Sequence, residues 1–396
     1  GNEECVENTA LVSDMIDDFS DIFSNAKPIF PVVQVPKAHN SSNDYLRHLA
    51  EEGLKKRYKG NIEEARLRLE KEMDVIEELG YPDYFLAVRD YVKYAKDNDI
   101  PVGPGRGSGA GCLVAYCLDI TTIDPLKYGL IFERFLNKGR KSLPDIDMDF
   151  CTMGRDDVIK YIREKNGTKK VSQIITFNRL KGKLAFRDIA RLSGIPEPRF
   201  SLVAKALSDG ESLQEASENN IIKDIVNRDP DCEDALQKAT LIENTIRNKG
   251  VHAAGLVISN ENLSGLVPLA KGKNGEVVSQ YEMGDLESMG LVKMDILGIR
   301  NLTFLNEAQK KIQANGHECN IYDLNDKEHD KKTYRLLAKG HTDGVFQFES
   351  STAVSLLKKI KPKSIEDLAV INALNRPGPL NSGLADSYVK RKLGKE

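Results

Sequence analysis

The sequence predicts an α+β protein: a sheet domain with a helical segment inserted in it, followed by a further, mostly helical segment. Two observations predict this. Four short runs read as strands: SLPDIDMDF (142–150) by its alternation, and SQIITF (172–177), AGLVIS (254–259) and LVKMDIL (291–297) by their β-branched residues. Between the second and third of these, from 178 to about 250, the pattern is charged and helical, and from about 305 onward helices dominate again.

Before the first strand, KPIFPVVQVPKAHNSSND reads as an extended connection ending in an N-cap cluster at Ser41, Ser42, Asn43 and Asp44. Residues 61–79 place Leu67, Leu69, Met73, Ile76 and Leu79 at helical spacing, and Gly80 with Pro82 stops that helix. A second helix, 83–97, carries Phe85, Val88, Val92 and Tyr94. VGPGRGSGAGCLVAYCL then reads as a short strand, a glycine loop and an apolar helix, with a turn at Asp124-Pro125.

Composition narrows the class. The chain has 396 residues, 40% hydrophobic and 30% charged, as expected for a globular protein of two or three domains. No apolar run approaches the ~18 residues that a membrane helix needs. The opening GNEECVENTA resembles neither a signal nor a transit peptide. The six cysteines include no Cys-x-x-Cys pair, which argues against structural zinc and fits a reducing, cytoplasmic setting. A net charge of −3 argues weakly against a wholly basic nucleic-acid binder and leaves room for a local basic face.

Several motifs carry candidate chemistry. In Pro144-Asp145-Ile146-Asp147-Met148-Asp149-Phe150, strand alternation puts Asp145, Asp147 and Asp149 on one face. Repulsion makes such a cluster unfavourable unless a divalent cation relieves it, and two metals about 4 Å apart can clamp the oxygens of a phosphoryl transfer. A solvated acidic edge strand is the alternative. Lys293 and Asp295 share a face of a later strand, as a surface ion pair or as a third metal ligand beside a phosphate-seeking lysine. The loop Gly103–Gly111 is neither a Walker loop nor a dinucleotide fingerprint. It has open backbone N–H groups, Gly107, the Ser108 hydroxyl, the fixed charge of Arg106, and a helix beginning near Cys112 whose N-terminus faces it.

Arg134 and Arg140, between that loop and the aspartates, are candidates to reach a triphosphate or are simply solvated. Arg179, Lys183, Arg187 and Arg191 recur every four residues and form one basic stripe if helical, suited to duplex phosphates or to solvent. His252, among small residues in GVHAAG, is a candidate substrate contact, with a structural role as the alternative.

Taken together and in order, VGPGRGSGAG, FERFLN, LPDIDMDF, SQIITF, GVHAAG, LVKMDILG and NALNRPGPL resemble the alpha subunit of bacterial DNA polymerase III, the C-family replicative polymerase. The resemblance covers nearly the whole chain. It implies a mixed-sheet palm of the polymerase-beta-like nucleotidyltransferase type, with a helical thumb inserted in it. The corresponding boundaries are 1–22 for the exit of a preceding domain, 23–176 and 255–304 for the palm, 177–254 for the thumb, and 305–396 for the start of the fingers.

By the same resemblance Asp145, Asp147 and Asp295 are catalytic metal ligands for two Mg2+ ions, expected with DNA and nucleotide bound. Asp149 is not one of the catalytic three. Gly107, Ser108, Arg134 and Lys293 match positions that hold the nucleotide phosphates, with Arg140 a further candidate. Arg179, Lys183, Arg187, Arg191 and His252 are the DNA-contact candidates. The implied partners are primer–template DNA, a deoxynucleoside triphosphate and, for the full-length protein, the sliding clamp and other replisome subunits. The missing Cys-x-x-Cys points away from the zinc-carrying Gram-positive form.

Three departures from the family pattern stand out. Asn178-Arg179-Leu180-Lys181-Gly182-Lys183 replaces the usual Gly-Thr-Met-Ala-Ala-Lys, and Thr352-Ala353 stands where Gly-Met is usual. The chain is also far shorter than the family's full length, so weak or no activity alone is expected. The rival reading is a catalytically silent module that binds nucleic acid or another subunit. Without nucleotide, the clustered carboxylates are expected to share protons or to pair with nearby arginines.

Overall fold

The computed structural model describes residues 2–16, 28–31, 33–60, 62–139, 144–208, 210–321 and 331–394. Its strands are β1 (Met148–Cys151), β2 (Val171–Arg179), β3 (Ile246–Ile258), β4 (Leu269–Lys271), β5 (Val277–Ser279) and β6 (Lys293–Ile299). With numerous helices they make an α+β protein. Parallel and antiparallel strand pairs both occur. By internal contacts the chain falls into two units, Gly1–Val32 with Arg163–Met294, and Val33–Ile162 with Asp295–Glu396. Among the described residues no helix is long and apolar enough to cross a membrane, and the six cysteines are free.

In the first unit, β3 and β5 flank β2, and β4 pairs antiparallel with β5. The β2–β3 ribbon is longer than the sequence suggests. The pairs Phe177↔Lys249, Asn178↔Asn248 and Arg179↔Ile246 extend it past the predicted ends of both strands. Apart from Phe177 and Ile246 these residues are polar, and all but Phe177 are exposed, so no apolar alternation marks them as strand. The ribbon is closed by Leu180 and Asn244–Thr245: the Leu180 N–H donates to the Thr245 carbonyl at 3.0 Å, and the Asn244 N–H to the Leu180 carbonyl at 2.8 Å.

Between these closing residues the regular elements are all helices among the described residues. Helices Gly182–Leu192, Glu197–Ala206, Leu213–Ser217, Asn220–Val226 and Pro230–Ile242 surround their own apolar core, including Phe186, Phe200, Val203, Leu213 and Ile222. The predicted insertion is present, and it is shorter than 178–250 because the ribbon takes both of its ends.

In the second unit, β1 and β6 pair in parallel, Met148 opposite Ile296 and Phe150 opposite Gly298. Against them lies an aromatic core of Tyr84, Phe85, Tyr91, Phe132, Phe135 and Phe150, all nearly or fully buried. Helices Glu63–Glu78 and Pro82–Asp97 fall within a residue or two of expectation, although Leu67 is 68% exposed rather than part of the buried stripe. The position that turns inward is Glu72, which is 0% exposed.

Glu72 explains how the glycine-rich segment is anchored. It accepts from Arg68 Nε at 2.6 Å, from the Val114 N–H at 3.1 Å and from the Cys112 thiol at 3.3 Å. Burial raises its carboxyl pKa, opposed by Arg68 and the Val114 N–H. Arg68 Nη2 donates to the carbonyls of Gly111 and Leu130, both at 3.2 Å, and so ties the glycine loop to the segment before Arg134. Removing one partner of a buried ion pair leaves an uncompensated charge. Arg68→Ala is therefore expected to destabilise this unit by about 3 kcal/mol. Arg68→Ala/Glu72→Met should recover most of that loss in thermal unfolding, and a single variant as stable as the parent would refute the anchor.

Candidate active site

Sequence alternation places all three PDIDMD aspartates on a strand, but β1 begins only at Met148. Asp145 and Asp147 lie on the extended segment just before it, outside the ladder. The cluster still assembles, because β1 runs parallel to β6. The pair Met148↔Ile296, stepped back one residue, sets Asp147 beside Asp295. One carboxylate oxygen from each of Asp145, Asp147 and Asp295 lies within 4.8 Å of the others. Asp145 is exposed, Asp147 half-buried and Asp295 buried. Hard oxygen donors grouped so closely fit a divalent cation such as Mg2+.

The glycine loop is held against β1. The Gly103 N–H donates to the Asp149 carbonyl at 2.7 Å, and a Cβ on Gly103 would meet the Asp149 Cβ at 3.0 Å. Gly107 has φ +65° and sits over Asp147, where a Cβ would lie 3.4 Å from Oδ2. Ser108 follows, exposed, in the 3-10 turn Gly107–Gly111.

Arg106, named in the sequence only as a fixed charge on the loop and not among the phosphate-holding residues, turns to the carboxylates. Its Nε donates to Asp149 Oδ1 at 3.2 Å, and its Nη2 to Asp147 Oδ1 at 3.4 Å. This matches the expected pairing of the carboxylates with an arginine. Burial raises the Asp149 pKa, Arg106 opposes that, and Asp147 adds to it. The signal for Arg106 was its place among glycines, which fixes a charge on a loop without saying where the charge points.

One expectation about the loop fails. The helix after it, Leu113–Cys117, has only five residues. Its amino end is already capped: the Val114 N–H donates to Glu72, and the Ala115 N–H to Cys112 Sγ at 3.4 Å. Those donors are committed to the anchor and are not offered to a ligand.

The remaining candidates are dispersed. Arg134 is exposed at the end of the 3-10 turn Phe132–Arg134, and that turn packs on the loop's end, where a Cβ on Gly111 would approach the Ile131 carbonyl at 2.9 Å. Arg140 lies outside the described residues. Lys293 opens β6, two residues before Asp295, with its Cδ 3.3 Å from where a Gly255 Cβ would stand.

The four-residue basic stripe is broken. Arg179 belongs to β2, donates to the Asn244 carbonyl at 3.1 Å and lies 3.9 Å from Glu282. Only Lys183, Arg187 and Arg191 share helix Gly182–Leu192. Lys183 reaches the Leu207 carbonyl at 3.5 Å, Arg191 pairs with Asp188 at 3.8 Å, and Arg187 keeps a buried Nε with no hydrogen-bond partner among the described residues. His252 lies within β3 rather than before it. Its Nδ1 accepts the N–H groups of Ala254 and Gly255 at 3.2 and 2.7 Å, where the β2–β3 register shifts. That is a structural task for the ring.

Comparison with known proteins bears on this geometry. Residues 44–298 match the family described as bacterial DNA polymerase III alpha NTPase domain. The chain belongs to the bacterial DNA polymerase III alpha family. Residues 301–396 match that subunit's finger domain. Among curated relatives named DNA polymerase III subunit alpha, the protein of Borreliella burgdorferi is 46% identical across 95% of this chain and 33% of its own length. That of Aquifex aeolicus is 42% identical, covering 100% and 36%. That of Thermus aquaticus is 44% identical, covering 82% and 27%. The chain thus spans about a third of the length of the DNA polymerase III alpha relatives it matches. All three proposed metal ligands fall inside the segment that matches the first domain.

Proposed function

We propose that this chain is the catalytic core segment of a replicative DNA polymerase, joining a deoxynucleotide to a primer 3′-hydroxyl with release of pyrophosphate. The observation that carries the reading is the grouping of Asp145, Asp147 and Asp295 within 4.8 Å beside Gly107. Two Mg2+ ions held by these carboxylates would activate the primer hydroxyl and neutralise charge on the reacting phosphates. The protein's own part is to bind and orient. Gly107 and Ser108 offer the backbone and a hydroxyl to the triphosphate, with Lys293, Arg134 and Arg140 supplying positive charge. Arg106, paired with Asp147 and Asp149, keeps the carboxylate cluster from standing uncompensated.

In this reading 23–176 with 255–304 form the palm, 177–254 the thumb and 305–396 the start of the fingers. The intact protein works in the cytoplasm on primer–template DNA, with the sliding clamp and other replisome subunits. Magnesium-dependent primer extension, run on both the full-length parent and this chain, tests the proposal. Extension by the parent and little by the chain is expected. A parent that binds primer–template without extending it would leave only a binding module.

The thumb reading has its own measurement. Helix Gly182–Leu192 presents Lys183, Arg187 and Arg191. Each phosphate contact contributes about −0.9 to the slope of log affinity against log salt. Lys183→Ala/Arg187→Ala should flatten the slope for duplex primer–template by up to about 2 and weaken all sequences alike. The loss should be smaller with single strands. An identical slope would make this a solvated helix face.

A further inference from the structure

Helix Pro82–Asp97 runs beneath the acidic cluster and turns two tyrosines into the core, Tyr84 and Tyr91, 1% and 2% exposed. They are seven residues apart and so lie on one face of the helix. Their surroundings differ. The Tyr84 hydroxyl accepts the Ile146 N–H at 2.8 Å. The Tyr91 hydroxyl is buried with no hydrogen-bond partner among the described residues.

Ile146 is the residue between Asp145 and Asp147, and its own side chain is buried. This segment precedes β1, so no strand ladder fixes it. Two carboxylates that repel each other thus sit on backbone outside regular structure. The Ile146 N–H would be costly to leave unpaired at that depth. We propose that Tyr84 is a positioning residue for metal binding: its phenol oxygen pins the peptide between Asp145 and Asp147 and so holds both carboxylates in register with Asp295. It acts through the backbone that carries two of the three ligands. The proposal rests on the reading of the aspartates as metal ligands.

The test uses the full-length protein and reads Mn2+ binding by calorimetry alongside primer extension. Tyr84→Phe removes one atom and should weaken Mn2+ binding about fivefold to tenfold, the effect of one buried hydrogen bond. The Mg2+ concentration for half-maximal extension should rise by a similar factor, with the nucleotide KM within about twofold, because the phosphate-holding loop is untouched. Tyr91→Phe, which removes an equally buried hydroxyl that bonds to nothing among the described residues, should leave Mn2+ binding unchanged. Equal weakening by both variants would mean a general core effect and overturn the proposal, as would wild-type binding by Tyr84→Phe. Hydrogen exchange of the Ile146 amide in the unaltered protein is a check that does not depend on a variant folding. Slow exchange is expected, and exchange at the rate of open loops would overturn the proposal. Should Asp145→Asn also bind Mn2+ as the wild type does, the metal-ligand reading itself fails, separately from Tyr84.

Discussion

Asp145→Asn, Asp147→Asn and Asp295→Asn in the full-length protein are each expected to abolish primer extension, a loss on the order of a thousandfold or about 4 kcal/mol of barrier, while primer–template affinity holds. Asn keeps the shape of the side chain and removes the charge that a divalent cation requires. Asp295 is the most sensitive test of the three, because it is the buried member of the cluster and is fixed in β6. Asp149 provides contrast. It is buried and paired to Arg106 but lies outside the triad of mutually close oxygens. Its change to Asn should lower activity through Arg106 rather than abolish it. Extension at the parental rate by any triad variant would remove that residue from the site.

Replacement of Gly107 by Val is expected to give the second largest effect, on the order of tenfold to a hundredfold in kcat/KM for the nucleotide. Two causes combine. The backbone there has φ +65°, where a side chain costs about 1–2 kcal/mol and a β-branched one more. The new Cβ would also stand 3.4 Å from Asp147 Oδ2, with its methyls toward a metal ligand. Asn tolerates left-handed backbone, so Gly107→Asn should be milder than Val, separating strain from bulk. Steady-state kinetics at saturating primer decide the matter. An unchanged nucleotide KM and kcat for Val would take the loop out of nucleotide handling.

The parts of this architecture visible in the sequence are those that local chemistry writes into neighbouring residues. Helices Glu63–Glu78 and Pro82–Asp97 follow from apolar spacing and the Gly80-Pro82 stop, and β6 from its β-branched run. The grouping of Asp145, Asp147 and Asp295 was reached through motif resemblance, and the geometry brings their oxygens together. What the sequence hides is long-range. The Arg68–Glu72 spacing reads as an ordinary surface ion pair, because the other partners that turn Glu72 inward, Cys112 and Val114, are some forty residues away. Tyr84 reads as one more apolar helix position until the Ile146 N–H meets it across 62 residues. The basic stripe failed for the opposite reason: helical periodicity continued through Arg179, while pairing with β3 claimed that residue for a strand. The DNA-contact and phosphate-contact residues await the measurements above.

The ribbon formed by β2 and β3 has a consequence for how the chain is assembled. The five helices from Gly182 to Ile242 enter and leave it through residues already bonded to each other at Leu180 and Asn244–Thr245. A body attached by two adjacent strand ends behaves as a cassette. It carries its own core, and its covalent connection to the sheet is two side-by-side backbone strands, to which the Asp188–Arg247 ion pair at 3.2 Å adds a side-chain contact. Excision between 180 and 245, with a tight turn in its place, would leave a hairpin whose register is set by the pairs below it. Such a body can be exchanged or enlarged without redrawing the strands that carry it.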